Sequence, residues 1–122
     1  MNVRAARGAI VVPEDVPERL HAATGRLLGV LLERNGVAHD DLISILFTVT
    51  DDLRSAFPAE AARQMGMGDI PLLCAREIPV EGAMPSVVRV LMHFHTDLAL
   101  RDVTHVYLDG AERLRDDLDA AT

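Results

Sequence analysis

At 122 residues and 13.3 kDa the chain is the size of one domain, and 49% hydrophobic against 25% charged residues excludes disorder as its main state. No apolar run approaches the ~18 residues of a membrane span, nothing resembles a signal peptide, and a single cysteine excludes an internal disulfide, so the expected setting is the cytoplasm, away from any membrane. Twelve basic residues, all arginine, against nineteen acidic ones give a net charge of -7 that repels phosphate backbones, and with no Trp and one Tyr to stack bases, nucleic-acid binding is excluded too.

Val3 to Val12 (VRAARGAIVV) is β-prone and ends at Pro13. As a strand it places Val3, Ala5, Arg7, Ala9 and Val11 on one face, with Arg4 on the other. An arginine on an apolar face needs an anion, either an internal carboxylate or a ligand. From Asp15 the period changes. Val16, Leu20, Ala23, Leu27, Val30 and Leu31 form one face of a helix, with Asp15 and Glu18 as a capping box, Pro17 in the first turn and Asn35-Gly36 as the stop.

Leu42 to Thr50 (LISILFTVT) reads as a strand buried on both faces, closed by Asp51-Asp52. FPAEAARQMG follows as a short helix, with Pro58 at its start, Gly66 at its end, and Glu60 and Arg63 on one face as a surface pair. Ile70 to Ala75 is a further strand. Cys74 and Glu77, three apart, converge only if the chain turns or bulges between them. Ser86 to Thr96 (SVVRVLMHFHT) is a clear strand whose odd face carries Val87, Arg89, Leu91, His93 and His95. Thr104 to Leu108 makes a last short strand before a polar tail.

This order predicts an α+β fold, a mixed β-sheet packed with helices, as a single domain over 1–122 with about 112–122 as a flexible C-terminal tail. With helices on one face, the other face needs a partner, and oligomerisation supplies it. His93 and His95 have a spacing compatible with metal binding, but no second ligand pair accompanies them, and ordinary packing is the expectation. Cys74 lacks a Gly-rich oxyanion loop, and nucleotide-binding and nucleophile-elbow motifs are absent. There remain Arg7, Cys74, Glu77, Arg89 and Tyr107, polar positions on apolar strands, together with Arg63. Guanidinium forks bind carboxylates bidentately, so this set suits a small organic anion held without cofactor or metal.

The stretches VRAARGA, TDDLRSAFPAEAAR, PLLCAREIPVEGAMPSVVRVLMH and HVYLDGAERLRDDL, in this order and spacing, resemble the monofunctional trimeric chorismate mutases, not the all-helical class. The likeness covers Val3 to about Leu118. It implies a barrel-like homotrimer with three active sites at subunit interfaces, and the cofactor-free Claisen-type rearrangement of chorismate to prephenate on the way to phenylalanine and tyrosine. By the same resemblance, Arg7 holds a substrate carboxylate, Tyr107 assists, and Arg89 reaches a carboxylate and the ether oxygen of the breaking bond. Glu77 takes the ring hydroxyl, with Cys74 beside it and the backbone of Leu73, Cys74, Ala75, Arg76 and Glu77 lining the pocket. Phe57, Ala59 and Arg63 come from the neighbouring chain, while Leu114 and Arg115 close the mouth. Arg89, Glu77 and Arg7 are the catalytic set.

The sequence departs from that pattern at Glu60, where many family members carry a lysine near the pocket mouth. Two other readings compete with the mutase. A trimeric imine deaminase also holds a carboxylate on an arginine, but needs a positioned water and accounts less well for Arg7, Arg63 and Arg89 together. A non-catalytic trimer would bind the carboxylates without turnover.

Overall fold

The structure, a computed structural model, describes residues 1–114. Its elements in chain order are β1 (Asn2–Val11), α1 (Pro17–Asn35), β2 (Leu42–Val49), α2 (Ala59–Gln64), β3 (Leu72–Arg76), β4 (Val87–Thr96) and β5 (Val106–Leu108), with single tight turns at His39–Asp41 and Leu100–Asp102. The five strands form one mixed sheet in the order β3-β2-β4-β1-β5. β4 pairs antiparallel with β1 and with β2, while β3 and β5 add parallel edges. This is the expected α+β architecture.

Alternation along the strands divides the sheet into two unlike faces. Ala6, Ile10, Ile45, Phe47, Val88, Val90, Met92, Phe94, Val106 and Leu108 face the helices and form one core with Leu20, Leu27, Leu28 and Leu31. Gly8 lies where α1 crosses closest. A Cβ there would stand 2.9 Å from Leu31 Cδ1 and 3.0 Å from Leu27 Cδ1, so hydrogen is the side chain that lets helix and strand touch. The other face carries the odd positions of β1 and β4, as the alternation predicts; Ala111, Leu114 and Met84 pack on it at Ala9 and Val87, while neither α1 nor α2 covers it.

α1 runs as predicted and stops at Gly36, whose φ of 61° is left-handed. The Gly36 N–H bonds to Glu33 O and the Val37 N–H to Leu32 O, the paired closure of a Schellman stop. Its start differs from the capping-box expectation: Val16 is the cap residue and no side chain caps it. Asp15 instead accepts the N–H groups of Arg54 and Ser55 at 3.0 and 3.1 Å, and these bonds hold its carboxyl below the usual aspartate value. β2 also departs from expectation. Its helix-facing residues are buried, but Leu46 is 36% exposed, because the segment that packs on the far face at Ala9 and Val87 does not extend to β2. β3 begins at Leu72 because Pro71 has no N–H for a ladder; its carbonyl accepts from Ile45. Among the described residues no helix is long and apolar enough to cross a membrane.

Candidate active site

The polar groups of the far face gather toward one end. In the β1–β4 pair Arg7 lies opposite Leu91 and Ala9 opposite Arg89, so the two arginines are diagonal neighbours and their long side chains can reach one ligand. Thr48 stands opposite Arg89 on β2, and Tyr107 opposite Ala9 on β5. Glu77 continues the alternation one residue past β3, its N–H bonded to Val49 O at 2.9 Å. Arg7, Leu46, Thr48, Glu77, Arg89, Leu91 and Tyr107 together line a concavity of about 280 Å³. A broader cleft of about 910 Å³ adjoins it, sharing Glu77 and Arg89 and walled by Thr50 to Asp52, Ile78 to Val80, Gly82 to Pro85, Val87, Arg113 and Leu114. The smaller concavity is where the cationic groups converge.

The arginines are not consumed by internal pairing. Among the described residues the Arg7 guanidinium makes no ion pair. Arg89 Nε lies 3.5 Å from Glu77 Oε1, with the two side chains 41% and 29% exposed. That contact is not aligned as a hydrogen bond, and the Nε atom is buried with no hydrogen-bond partner among the described residues. A buried donor left open costs free energy unless a ligand takes it. Two guanidinium groups, one carboxylate and one phenol around a small concavity can hold a dianion and place positive charge at a chosen oxygen.

The remaining expected residues are more dispersed. Cys74 faces the other way, opposite Phe47 and packed against the helix-side core, so no turn brings its side chain round to Glu77. Leu73 and Ala75 share the Glu77 face, and Arg76 pairs with Asp51 at 3.5 Å. Phe57 is 74% exposed and Ala59 is buried in its own core. Arg63 pairs with Glu60 at 3.2 Å, as the spacing predicted, and none of these three residues lines either concavity. Leu114 lines the broader cleft and packs with Ala9, Val87 and Ala111. Arg115 and most of the expected tail lie outside the described residues. His93 approaches Ser44 Oγ at 3.4 Å, and no group of three or more potential ligands that could hold a metal ion occurs among the described residues.

Sequence reasoning missed Thr48, Arg113 and the base of the cleft. Ser44 and Thr48, both on the open face of LISILFTVT, were the available sign that this strand presents a polar-tolerant face. At the cleft, Ser86 adopts a left-handed φ of 60°, unusual for a side-chain-bearing residue. Asp52 holds it there, accepting the Ser86 N–H at 3.3 Å and its hydroxyl at 2.9 Å, while Thr50 Oγ1 accepts the Val87 N–H at 3.1 Å. Partial burial pushes the Asp52 carboxyl up, but hydrogen bonds from the Thr50 and Ser86 hydroxyls and the Ser86 N–H outweigh it and leave the pKa lowered. A lowered folded-state pKa means stability present above the unfolded value and lost as pH falls through the folded one. Asp52→Asn is therefore expected to flatten the acid limb of a melting-temperature profile below the ordinary carboxylate range. An acid limb identical to that of the unaltered protein would remove this role.

Comparisons with known proteins show the family. Residues 3–118 match the family described as chorismate mutase type I. The chain is 56% identical over 120 residues to chorismate mutase AroH of Thermus thermophilus, covering 98% of each chain. To chorismate mutase AroH of Bacillus subtilis (strain 168) it is 35% identical over 119 residues, covering 97% of this chain and 94% of that one. Among solved structures it superposes on a chorismate mutase from Clostridium thermocellum with a TM-score of 0.89 at 46% identity, covering 90% of this chain and 98% of the other. A match over nearly the whole length, in fold as well as sequence, makes this chain a member of the type I chorismate mutase family.

Proposed function

We propose that the protein converts chorismate to prephenate in the cytoplasm as a homotrimer, each site completed by a neighbouring chain, without a cofactor or covalent intermediate. The observation that carries this reading is the convergence of Arg7 and Arg89 on one small concavity, with the Arg89 Nε buried and open. In this pericyclic step the C–O bond breaks ahead of C–C bond formation, and negative charge gathers on the ether oxygen. A guanidinium at that oxygen binds the transition state more tightly than the ground state. Arg7, with Tyr107 beside it, fixes a carboxylate, Glu77 takes the ring hydroxyl, and the enolpyruvyl arm is held over the ring.

Apolar side chains left exposed in the single chain support association of copies, which the family resemblance makes a trimer. Leu46 and Leu73 are exposed on the far face of the sheet, and Phe57 is exposed beside α2. Burying these against a second copy would carry Phe57, the Ala59 segment and Arg63 to the neighbour's pocket, beside the cleft that Leu114 lines. Cys74 contributes main chain, with Leu73, Ala75 and Arg76. The test is loss of chorismate absorbance with prephenate identified as product, on protein whose mass in solution has been measured. Failure of an assembled trimer to turn over chorismate would overturn the reading, and ammonia release from an iminoacid would replace it with the deaminase.

Glu60 offers a separate check. It places a negative charge beside Arg63 and ties down the guanidinium. Both features oppose a dianion, whereas the pair itself, half-exposed, is worth little to stability. Glu60→Lys is expected to lower KM for chorismate with kcat little changed, and Arg63→Ala to raise KM. An unchanged KM in Glu60→Lys would show that this side chain turns away from the mouth.

A further inference from the structure

We infer that Asn35 is a positioning residue of the pocket: it pins the start of β5 and so sets Tyr107 and Arg7 beside each other. The inference rests on the reading of those two residues as substrate-binding groups. Asn35 ends α1 on the helix side of the sheet and lines neither concavity. It is 6% exposed, and Thr24 is the one other buried polar or charged side chain among the described residues. A stop for α1 would not need a buried amide, because Gly36 already supplies the turn.

Both N–H donors and the carbonyl oxygen of this amide are engaged. Nδ2 donates to Leu31 O and to Thr104 O, both at 2.9 Å, and Oδ1 accepts the Thr104 N–H at 2.8 Å. The side chain thus grips both main-chain groups of Thr104, as a neighbouring strand would. The next residue, His105, accepts the Arg7 N–H on Nδ1 at 2.9 Å, a contact that fixes the lone pair on that nitrogen. An imidazole therefore makes the rung that precedes the β1–β5 ladder.

The ladder itself is short, pairing Gly8, Ala9 and Ile10 with Val106, Tyr107 and Leu108. Three residues at a sheet edge do little to fix their own register. A slip of one residue would turn Tyr107 into the core and Leu108 out of it. Asn35 through Thr104, and His105 through Arg7, hold β5 against that slip. The Tyr107 side chain and the Arg7 backbone are tied to one pair of pins.

The test compares Asn35→Ala with Leu20→Ala, a core truncation near the other end of α1, and with His105→Leu, in the assembled enzyme. Asn35→Ala is expected to raise KM for chorismate by about tenfold or more, with kcat changed by less than about threefold. His105→Leu moves KM the same way by less, and Leu20→Ala leaves KM alone. In amide exchange, Asn35→Ala speeds the N–H groups of Thr104 and Arg7, while those shared by β2 and β4 keep their rates. A KM unchanged in Asn35→Ala, a KM raised as much by Leu20→Ala, or exchange that quickens everywhere together would overturn the inference. If Asn35→Ala does not fold, His105→Leu decides, and an unchanged KM there overturns it. Because the exchange measurement needs no substrate, an enzyme inert toward chorismate would sink the proposed function while leaving the pin itself under test.

Discussion

Arg89→Ala is expected to lower kcat by at least about 10²–10³-fold, roughly 3–4 kcal/mol of transition-state stabilisation, the loss typical of one oxyanion-type donor. The effect falls on kcat because the charge that Arg89 meets forms only as the C–O bond breaks. KM changes less, since on the proposed reading Arg7 and the neighbour's Arg63 still hold the carboxylates. Arg89→Lys keeps a cation but not the planar fork, so it restores only part of the rate. The buried Nε, 3.5 Å from Glu77 and without a hydrogen-bond partner among the described residues, gives a structural reason for that difference: it is the atom that a lysine lacks. A near-normal kcat in Arg89→Ala would place the ether-oxygen contact elsewhere.

Phe47→Ala is expected to cost about 3–5 kcal/mol of stability, one position before a residue of the pocket. Phe47 is fully buried, facing the helices between Val90 and Cys74 on the adjoining strands, while Thr48 next to it faces Arg89. Removing the ring opens a cavity between sheet and helices that the packed helices fill only in part. A domain commonly has about 5–15 kcal/mol in total, so the melting temperature drops by roughly 10 °C or more. Catalysis per folded molecule stays close to that of the parent, because the lost side chain points away from the site. A melting temperature within a degree or two of the parent would contradict the assigned packing, and a kcat lowered as far as in Arg89→Ala would contradict the separation of the two faces.

Neighbouring positions with opposite duties explain how much could be read from the chain. Strict alternation in β1 and β4 was enough to put Arg7 and Arg89 each among the odd positions of its own strand, the β1–β4 register brought the two onto one face, and the three- and four-residue spacing of α1 was enough to give its buried side. Leu46 was misread because an apolar residue looks the same whether its own chain or another one covers it. Asp15 was misread because a carboxylate seen in sequence has only its local N–H groups for partners, whereas in the fold it serves Arg54 and Ser55. Asn35 read as a helix stop, since nothing local shows a hydrogen bond to a residue 69 positions away. The grouping of Arg7, Cys74, Glu77, Arg89 and Tyr107 with Arg63 came from residue type on apolar strands; within one chain Arg7, Glu77, Arg89 and Tyr107 line the concavity, while Cys74 faces the helices and Arg63 lies away from it. Assigning each of them a substrate atom came from family resemblance, because spacing alone carries no substrate.

Tyr107 is the chain's one tyrosine, and there is no tryptophan. With excitation beyond the absorption of the three phenylalanines, each chain's intrinsic ultraviolet emission therefore originates in a single ring, and that ring stands in the wall of the concavity. A carboxylate arriving beside the phenol changes its hydrogen bonding and with it the emission, so a titration of unlabelled protein reads occupancy of this pocket directly. The same signal, followed in a stopped-flow instrument, separates arrival of substrate from departure of product without any engineered probe.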